Sequence, residues 1–203
     1  MKITCAPNGP YTSESVSLRR ETGTALEAGG KVALCRCGGS ANKPFCDGTH
    51  RKNGFSDRNT GDPARNRRVA YAGEGITIFD NRAICAHAGF CTDGLKKVFR
   101  MHAEPWIDAD GAAVAEVIAT IEKCPSGALS YAKDGVEAKP PVRESMVTVM
   151  NDGPYSITGG VELAGVAFGE GASREHYTLC RCGGSKNKPF CDGTHWSIGF
   201  KDP

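Results

Sequence analysis

The sequence has no long hydrophobic run: no stretch of its 203 residues approaches the about 18 apolar residues that a membrane-spanning helix needs. The amino-terminal segment MKITCAPNGPYTSES also lacks the apolar core of a secretory signal peptide. We therefore expect a soluble, cytoplasmic protein without a membrane partner. In that compartment thiols stay reduced, so cysteines are free to bind metals.

Aromatic residues and net charge are also scarce. Aromatics make up 7% of the chain, the formal net charge is +2, and the basic residues form no long patch, so no nucleic-acid partner is indicated. The 26 glycines and 11 prolines indicate small, loop-rich units rather than one large sandwich or barrel. No serine, cysteine or carboxylate constellation suggests substrate turnover, so we expect no enzyme.

Cysteine, in contrast, is abundant. The chain contains ten cysteines, and small hydrophobic cores usually need disulfides or metals as cross-links. Because the sequence shows no secretory signal, metal ligation is favoured over disulfide formation.

A long internal repeat dominates the sequence. Residues 34–50 (LCRCGGSANKPFCDGTH) and 179–195 (LCRCGGSKNKPFCDGTH) differ at one of seventeen positions, and the similarity continues upstream and downstream. We predict a first module over residues 1–60 and a second module over residues 146–203. Two polar, proline-bearing stretches, 56–68 and 133–145, look like linkers and bracket a middle unit over residues 69–132.

Each copy places three cysteines and one histidine at the spacing C-x-C, eight residues, C-x3-H. These residues are Cys35, Cys37, Cys46 and His50, and then Cys180, Cys182, Cys191 and His195. Residues two apart in an extended segment point the same way, and residues four apart suit one helical turn, so each set can converge on one site. Zinc is one alternative occupant, although C-x-C is tighter than the usual zinc spacing.

This segment resembles the CDGSH iron-sulfur domain, whose signature is C-x-C-x2-S-x3-P-x-C-D-G-[S/A/T]-H, and both copies match every position. The resemblance implies a [2Fe-2S] cluster in each copy. In the first, Cys35 and Cys37 would hold one iron, and Cys46 and His50 the other. The second copy would use Cys180, Cys182, Cys191 and His195 in the same way. Single-motif CDGSH domains pair as dimers, so the resemblance implies that the two copies pair within this chain.

A histidine ligand has two chemical consequences for such a cluster. Replacing one thiolate with imidazole removes a negative charge, which raises the reduction potential above that of a four-cysteine [2Fe-2S] centre. The histidine must also be deprotonated to bind iron, and free histidine titrates near pH ~6.5, so the cluster becomes sensitive to acid.

The middle unit carries three further cysteines in the arrangement CAHAGFC over residues 85–91, followed by Cys124-Pro125. This arrangement resembles single-cluster ferredoxins, with Ala88 where the middle cysteine would stand, and most resembles the divergent mono-cluster ferredoxin domain. The resemblance implies that Cys85, Cys91 and Cys124 hold one [3Fe-4S] or [4Fe-4S] cluster.

Two alternatives remain open for these three cysteines. A [4Fe-4S] cluster would need a fourth ligand other than cysteine, such as His87, Asp93 or water. Alternatively, the three cysteines are buried core thiols without a cluster.

Hydrophobic periodicity predicts mixed secondary structure in the middle unit. The run from Gly75 to Phe79 favours a strand, and residues 128–131 favour a returning strand. Apolar residues at helical spacing predict a helix between them, with Asp110 as its N-cap and its end at Cys124. The helical positions are Val114, Val117, Ile118 and Ile121.

The sequence therefore predicts an α+β protein of small metal-stapled modules. Two β-rich CDGSH modules form an intrachain pseudo-two-fold pair around a ferredoxin-like α+β insert, an arrangement compatible with a monomer. We expect electron transfer to or from a redox partner protein. The alternatives are a store that donates clusters to an apo-acceptor, and a zinc-stapled interaction module.

Overall fold

The structure, a computed structural model, describes residues 1–202. Its strands form three four-stranded sheets. The strands are β1 (Lys2–Cys5), β2 (Tyr11–Ser13), β3 (Leu18–Arg20), β4 (Val32–Leu34), β5 (Val69–Ala72), β6 (Ile76–Asp80), β7 (Leu129–Lys133), β8 (Val136–Glu137), β9 (Met146–Val149), β10 (Tyr155–Thr158), β11 (Glu162–Ala164) and β12 (Tyr177–Leu179).

The helices are short. They are α1 (Phe90–Gly94), α2 (Val114–Ile121) and α3 (Thr194–Ser197), with 3-10 turns at Thr49–Arg51, Pro63–Arg65 and Arg82–Ile84. Within the described residues, no helix has the length and apolar character needed to cross a bilayer.

The two terminal modules exchange strands. One sheet has the order β11-β1-β2-β4 and the other β12-β10-β9-β3, so each sheet takes one strand from the other copy. Both exchanged strands pair in parallel, β11 against β1 and β3 against β9. The two sheets are related by a pseudo-two-fold axis within one chain, which confirms the predicted pairing of the modules.

One hydrophobic core serves both modules. Alternate residues of β2 point inward, as its buried, half-buried, buried pattern shows, whereas all three residues of β12 are buried. The rings of Tyr11 and Tyr155 meet edge to face across the pseudo-axis, with centroids 6.0 Å apart. The shared core contains Ile3, Tyr11, Leu18, Val32, Leu34, Val147, Val149, Tyr155, Ile157, Val161, Leu163, Tyr177, Leu179 and Phe190.

The middle unit is an antiparallel sheet, β5-β6-β7-β8, with a separate core. Helix α2 contributes Val117 and Ile121 to that core, which they share with Ile76 and Ile78 of β6. The predicted α+β insert between two β-rich modules is thus confirmed.

Both predicted ends of the helix in the middle unit were wrong in detail. Helix α2 begins at Val114 rather than after Asp110, because the Asp110 carboxylate accepts a hydrogen bond from Glu74 N (2.6 Å) at the β5–β6 turn. It ends at Ile121, three residues before Cys124.

The stretch predicted as a linker over residues 133–145 begins inside the sheet. Lys133 pairs with Val136 across a two-residue turn, Asp134-Gly135. Both turn residues have positive φ, 50° and 78°, and Asp-Gly is a strong hairpin signal for that geometry. The middle sheet therefore extends to Glu137.

Candidate functional site

In the first module, two cysteine thiols meet just beyond strand β4. Cys35 directly follows the strand, and its Sγ lies 3.9 Å from Cys37 Sγ. The chain then turns at Gly38, which has φ 76°, and Gly39 N donates to Cys37 Sγ (3.4 Å). Extended geometry at positions two apart places both thiols on the same side, as the spacing predicts.

The other two predicted ligands of the first module also meet. Cys46 Sγ lies 3.4 Å from His50 Nδ1. Asp47 holds the loop between them, since its carboxylate accepts from Thr49 N (3.0 Å) and from Ala41 N (2.8 Å). These hydrogen bonds, with Thr49 contributing most, lower the pKa of Asp47, so the carboxylate stays ionised as an acceptor.

The second module repeats this arrangement. Cys180 Sγ lies 3.8 Å from Cys182 Sγ, and Cys191 Sγ lies 3.4 Å from His195 Nδ1. Asp192 accepts from Thr194 N (3.0 Å) and from Lys186 N (2.8 Å).

The spacing within each pair fits tetrahedral ligation of one metal ion. With metal–sulfur bonds of about 2.3 Å, two thiolates on one tetrahedral ion lie about 3.8 Å apart. Among residues 1–202, however, no group of three or more His, Cys, Asp or Glu side chains is placed to hold a single ion. Each copy thus offers two pairs of ligands, which suits a binuclear cluster better than one zinc ion.

Three of the six ligand thiols are poor free acids, whereas the hydrogen bond with Cys180 lowers the pKa of Cys182. Burial raises the pKa of Cys35 and of Cys191, and a hydrogen bond with Cys182 together with burial raises the pKa of Cys180. Such thiols stay neutral unless a cation stabilises the thiolate. The chemistry of the donor set therefore favours a positively charged metal centre.

Each module's ligand loop is held by a tyrosine of the other module. Tyr11 Oη donates to Cys180 O (2.9 Å) and Pro189 O (3.0 Å). In the same way, Tyr155 Oη donates to Cys35 O (2.9 Å) and to Pro44 O (3.0 Å) of the first module. The repeat shows both tyrosines, but only the packing of the two modules against each other places each tyrosine beside the opposite loop.

The two sites adjoin at the pseudo-axis. Cys37 and Cys182 form an antiparallel backbone bridge. A Cβ on Gly38 would lie 2.4 Å from Cys182 O, and a Cβ on Gly183 would lie 2.5 Å from Cys37 O. Both glycines also have positive φ, 76° and 79°, so only glycine allows this approach of the two loops.

The middle unit brings its three predicted cysteines around one cavity of about 230 Å³. Cys85 follows the 3-10 turn Arg82–Ile84, Cys91 lies in α1, and Cys124 follows α2. Burial raises the pKa of Cys85 to about 11. None of the three is fully buried in a packed core, so a shared cavity fits a cluster better than core thiols.

The two candidate protein ligands for a fourth position differ in placement. His87 is among the lining residues, but its ring packs on Gly193 of the second module, where an added Cβ would lie 2.4 Å from His87 Cδ2. Asp93 is exposed and, in the part of the chain described, is absent from the lining. Ala88, which replaces the middle cysteine, does line the cavity.

The middle cysteine loop docks on the second module. Trp196 Nε1 donates to His87 O (3.0 Å), and Asn187 Nδ2 donates to Ala83 O (2.8 Å). Sequence reasoning assigned Trp196 and His87 no joint role. The sequence did hold one sign that the two copies differ in their contacts: the residue after the ligand histidine is Trp196 in the second copy and Arg51 in the first.

A buried carboxyl lies in the middle unit near this loop. Asp80 is 1% exposed and, within residues 1–202, neither oxygen has a hydrogen-bond partner. The nearest cation is Arg82, with Nε 3.8 Å from Asp80 Oδ2. Burial raises the pKa of Asp80 to about 6.

Comparison with known protein families agrees with these sites. Residues 8–51 and 152–196 match a family described as "Iron-binding zinc finger CDGSH type", and residues 71–134 match one described as "Divergent 4Fe-4S mono-cluster". Two curated relatives, both called "Uncharacterized protein YjdI", come from Escherichia coli K12 and O157:H7. Each is 48% identical over 61 residues, which is 30% of this chain and 80% of the relative.

Both resemblances predicted from the sequence are confirmed by these matches, and they support iron-sulfur clusters as the bound groups. The chain belongs to the CDGSH iron-sulfur family, and it carries a divergent 4Fe-4S mono-cluster domain between two CDGSH-type iron-binding domains.

Proposed function

We propose that this chain is an electron carrier that exchanges electrons with a redox partner protein and catalyses no substrate turnover. The observation that carries the proposal is the contiguity of its three ligand groups. The middle cysteine loop packs on Gly193, beside the ligands of the second module. The second module's Cys182 in turn forms a backbone bridge with Cys37 of the first. Electronic coupling falls steeply with distance, so this contiguity favours transfer between the sites.

The proposed ligand sets follow the pairs and the cavity described above. Two [2Fe-2S] clusters would be held by Cys35, Cys37, Cys46 and His50, and by Cys180, Cys182, Cys191 and His195. One cluster of the [3Fe-4S] or [4Fe-4S] type would be held by Cys85, Cys91 and Cys124. When bound, the clusters supply one-electron redox chemistry at potentials set by ligand type, hydrogen bonds to sulfur and solvent exposure.

The protein's contribution is to hold and insulate these groups. Backbone N–H groups of Gly39 and Gly48 donate to Cys37 Sγ and Cys46 Sγ (both 3.4 Å). Such hydrogen bonds stabilise thiolate charge and raise the reduction potential. The pseudo-two-fold pair is completed within one chain, so we propose that the carrier acts as a monomer.

Low-temperature electron paramagnetic resonance tests the assignment on anaerobically purified protein. A signal that appears only after dithionite reduction is expected from the [2Fe-2S] centres, and a signal already present when oxidised would identify a three-iron middle cluster. Dithionite-reduced plant-type ferredoxin should also reduce the oxidised chain in a stopped-flow assay, because the histidine-ligated clusters have the higher reduction potential.

Single substitutions sharpen that test. Cys46→Ser and Cys191→Ser should each remove about half of the [2Fe-2S] signal, and Cys124→Ser should remove only the middle cluster. Cys5→Ser is the matched control, since Cys5 belongs to none of the three ligand groups. Retention of all signals in Cys46→Ser, or their loss in Cys5→Ser, would contradict the ligand sets.

One observation favours cluster donation as a second candidate function. His50 is partly exposed and lines an open surface cavity, so an acceptor protein could reach the histidine-held side of that site. This function predicts transfer of a whole cluster to an apo-ferredoxin, suppressed by His50→Cys combined with His195→Cys. Transfer that is indifferent to both substitutions would rule it out.

A further inference from the structure

The two CDGSH modules present unequal faces at their ligand histidines. In the second module, the ring of His87 packs on Gly193, and His195 is only 5% exposed. In the first module, His50 is partly exposed, and a Cβ on Gly48 would meet no atom within 4 Å. The middle unit therefore covers one of two nearly identical faces and leaves the other open.

The two copies are nearly identical over residues 34–50 and 179–195, and they diverge directly after the ligand histidine. The residues after the ligand histidine are Trp196-Ser197 in the second copy and Arg51-Lys52 in the first. Trp196 uses its Nε1 to bind the middle loop at His87 O. The first copy has the basic residues Arg51 and Lys52 at these two positions instead.

The open face is positively charged. Arg51 and Lys52 are both exposed, and among the described residues neither has an acidic partner within 4.0 Å. The carboxylates nearby are already engaged, since Asp47 accepts two backbone hydrogen bonds and Asp57 pairs with buried Arg36.

The open face also has room for a protruding group. An open cavity of about 630 Å³ lies there, and its lining includes Asn8, Pro10, Cys46, His50, Arg51 and Phe55. Unpaired positive charge around an open recess steers an acidic partner toward it and speeds its association at low salt.

We propose that the face formed by His50, Arg51, Lys52 and Phe55 is the docking surface for an external redox protein that presents acidic side chains. At the equivalent face of the second module, the middle cysteine loop packs over Gly193 and His195 is buried, although Trp196 stays 66% exposed. This inference rests on the proposed function and adds to it a fixed order of sites, in which the first module lies between the partner and the second module, and the second module lies between the first module and the middle site.

Charge reversal tests the surface in the full, cluster-loaded chain. The probe is an acidic plant-type ferredoxin, and its affinity is measured by isothermal titration calorimetry at low ionic strength. Arg51→Glu combined with Lys52→Glu should weaken binding at least tenfold. Lys52→Glu alone leaves Arg51, the residue next to the ligand His50, intact and should weaken binding at least threefold.

Lys133→Glu combined with Lys139→Glu is the matched control. It changes the net charge equally, but its two exposed residues lie on the middle unit and its connection to β9. The control should bind ferredoxin within twofold of the parent chain. Equal weakening in both double variants would overturn the proposal, because it would show a response to net charge alone.

Zero-length carbodiimide cross-linking locates the contact independently of affinity. Cross-links from ferredoxin carboxylates should fall on Lys52, as mapped by peptide mass spectrometry. Cross-links confined to Lys133 or Lys139 would overturn the proposal. So would a chain dimer in sedimentation that dissociates in the Arg51→Glu, Lys52→Glu variant, because a second copy would then occupy the face.

The failure of this inference is distinguishable from failure of the carrier function. If the paramagnetic signals form and reduced ferredoxin passes its electron to the chain, but both double variants behave alike, the carrier stands and the docking surface is wrong. If no clusters form, the carrier function itself is wrong.

Discussion

The exchange of tyrosines between the modules predicts that a substitution in one module destabilises the cluster site of the other. Tyr11 is 1% exposed and lies in the first module, yet its hydroxyl donates to Cys180 O and Pro189 O of the second. Tyr11→Phe removes the hydroxyl and keeps the ring, so the shared core stays packed. Its effect should appear at Cys180.

The magnitude follows from the partners that remain. Pro189 O still accepts from Cys180 N (2.8 Å), so the loss falls mainly on Cys180 O, a buried carbonyl left without its donor. An unsatisfied buried group costs about 1–3 kcal/mol. If this entire free energy lowers the cost of opening the ligand loop, the second module should lose its cluster about 5- to 150-fold faster.

The assay must measure cluster loss from each module separately. A Cys46→Ser background leaves only the second [2Fe-2S] site, and a Cys191→Ser background leaves only the first. Cluster loss is followed by visible absorbance in the presence of an iron chelator. We expect Tyr11→Phe to accelerate loss in the Cys46→Ser background and to have a smaller effect in the Cys191→Ser background.

Two further variants complete the test. Tyr155→Phe should show the opposite preference, because its hydroxyl donates to Cys35 O. Tyr177→Phe is the control, since its buried hydroxyl donates to Val161 O (2.9 Å) within its own module. Tyr11→Phe that accelerates loss only from its own module would refute the cross-module hydrogen bonds of Tyr11.

Three other predictions concern the middle unit and the pseudo-axis. Asp80→Asn should raise the unfolding midpoint by circular dichroism. The pKa of Asp80 is raised to about 6 in the fold, so ionisation of this carboxyl destabilises the fold once the pH exceeds the pKa that Asp has in the unfolded chain. The free energy of unfolding should therefore rise in Asp80→Asn by up to about 3 kcal/mol at pH 7.5 and by about half that at pH 5. An equal rise at both pH values would contradict this. Gly38→Ala should lower cluster content in both modules by iron analysis, because its Cβ would lie 2.4 Å from Cys182 O; unchanged iron would contradict the close approach. Trp196→Phe, which loses the bond to His87 O, should increase amide hydrogen exchange across residues 85–90, and unchanged exchange would contradict the docking contact.

Much of the ligand arrangement could be predicted because it is local. The C-x-C and C-x3-H spacings fix which side chains meet, and the structure places Cys35 beside Cys37 and Cys46 beside His50. The assignment of each pair to one iron came from the family resemblance, and ligation itself stays a prediction.

The strand exchange could not be predicted from either copy alone. Strands β3 and β11 are each three residues long and carry no pairing signal of their own. Their partners are set by packing around the pseudo-axis, where Tyr11 and Tyr155 meet. The long sequence separation of these contacts hides them from local pattern analysis.

The asymmetry of the modules was visible in the sequence but was not interpreted. Trp196 and Arg51 occupy the same position of the repeat, and their difference has meaning only once His87 is seen against Gly193. The Asp134-Gly135 hairpin, in contrast, had a recognisable turn signal and was predicted as a linker instead.

Native mass spectrometry of the anaerobically purified chain tests the central claim most directly, because it reports the metal content and the number of chains together. The account predicts a single chain carrying two [2Fe-2S] clusters and one [3Fe-4S] or [4Fe-4S] cluster, about seven or eight irons in all. A folded chain that carries one zinc ion in each module, and no iron, would contradict it.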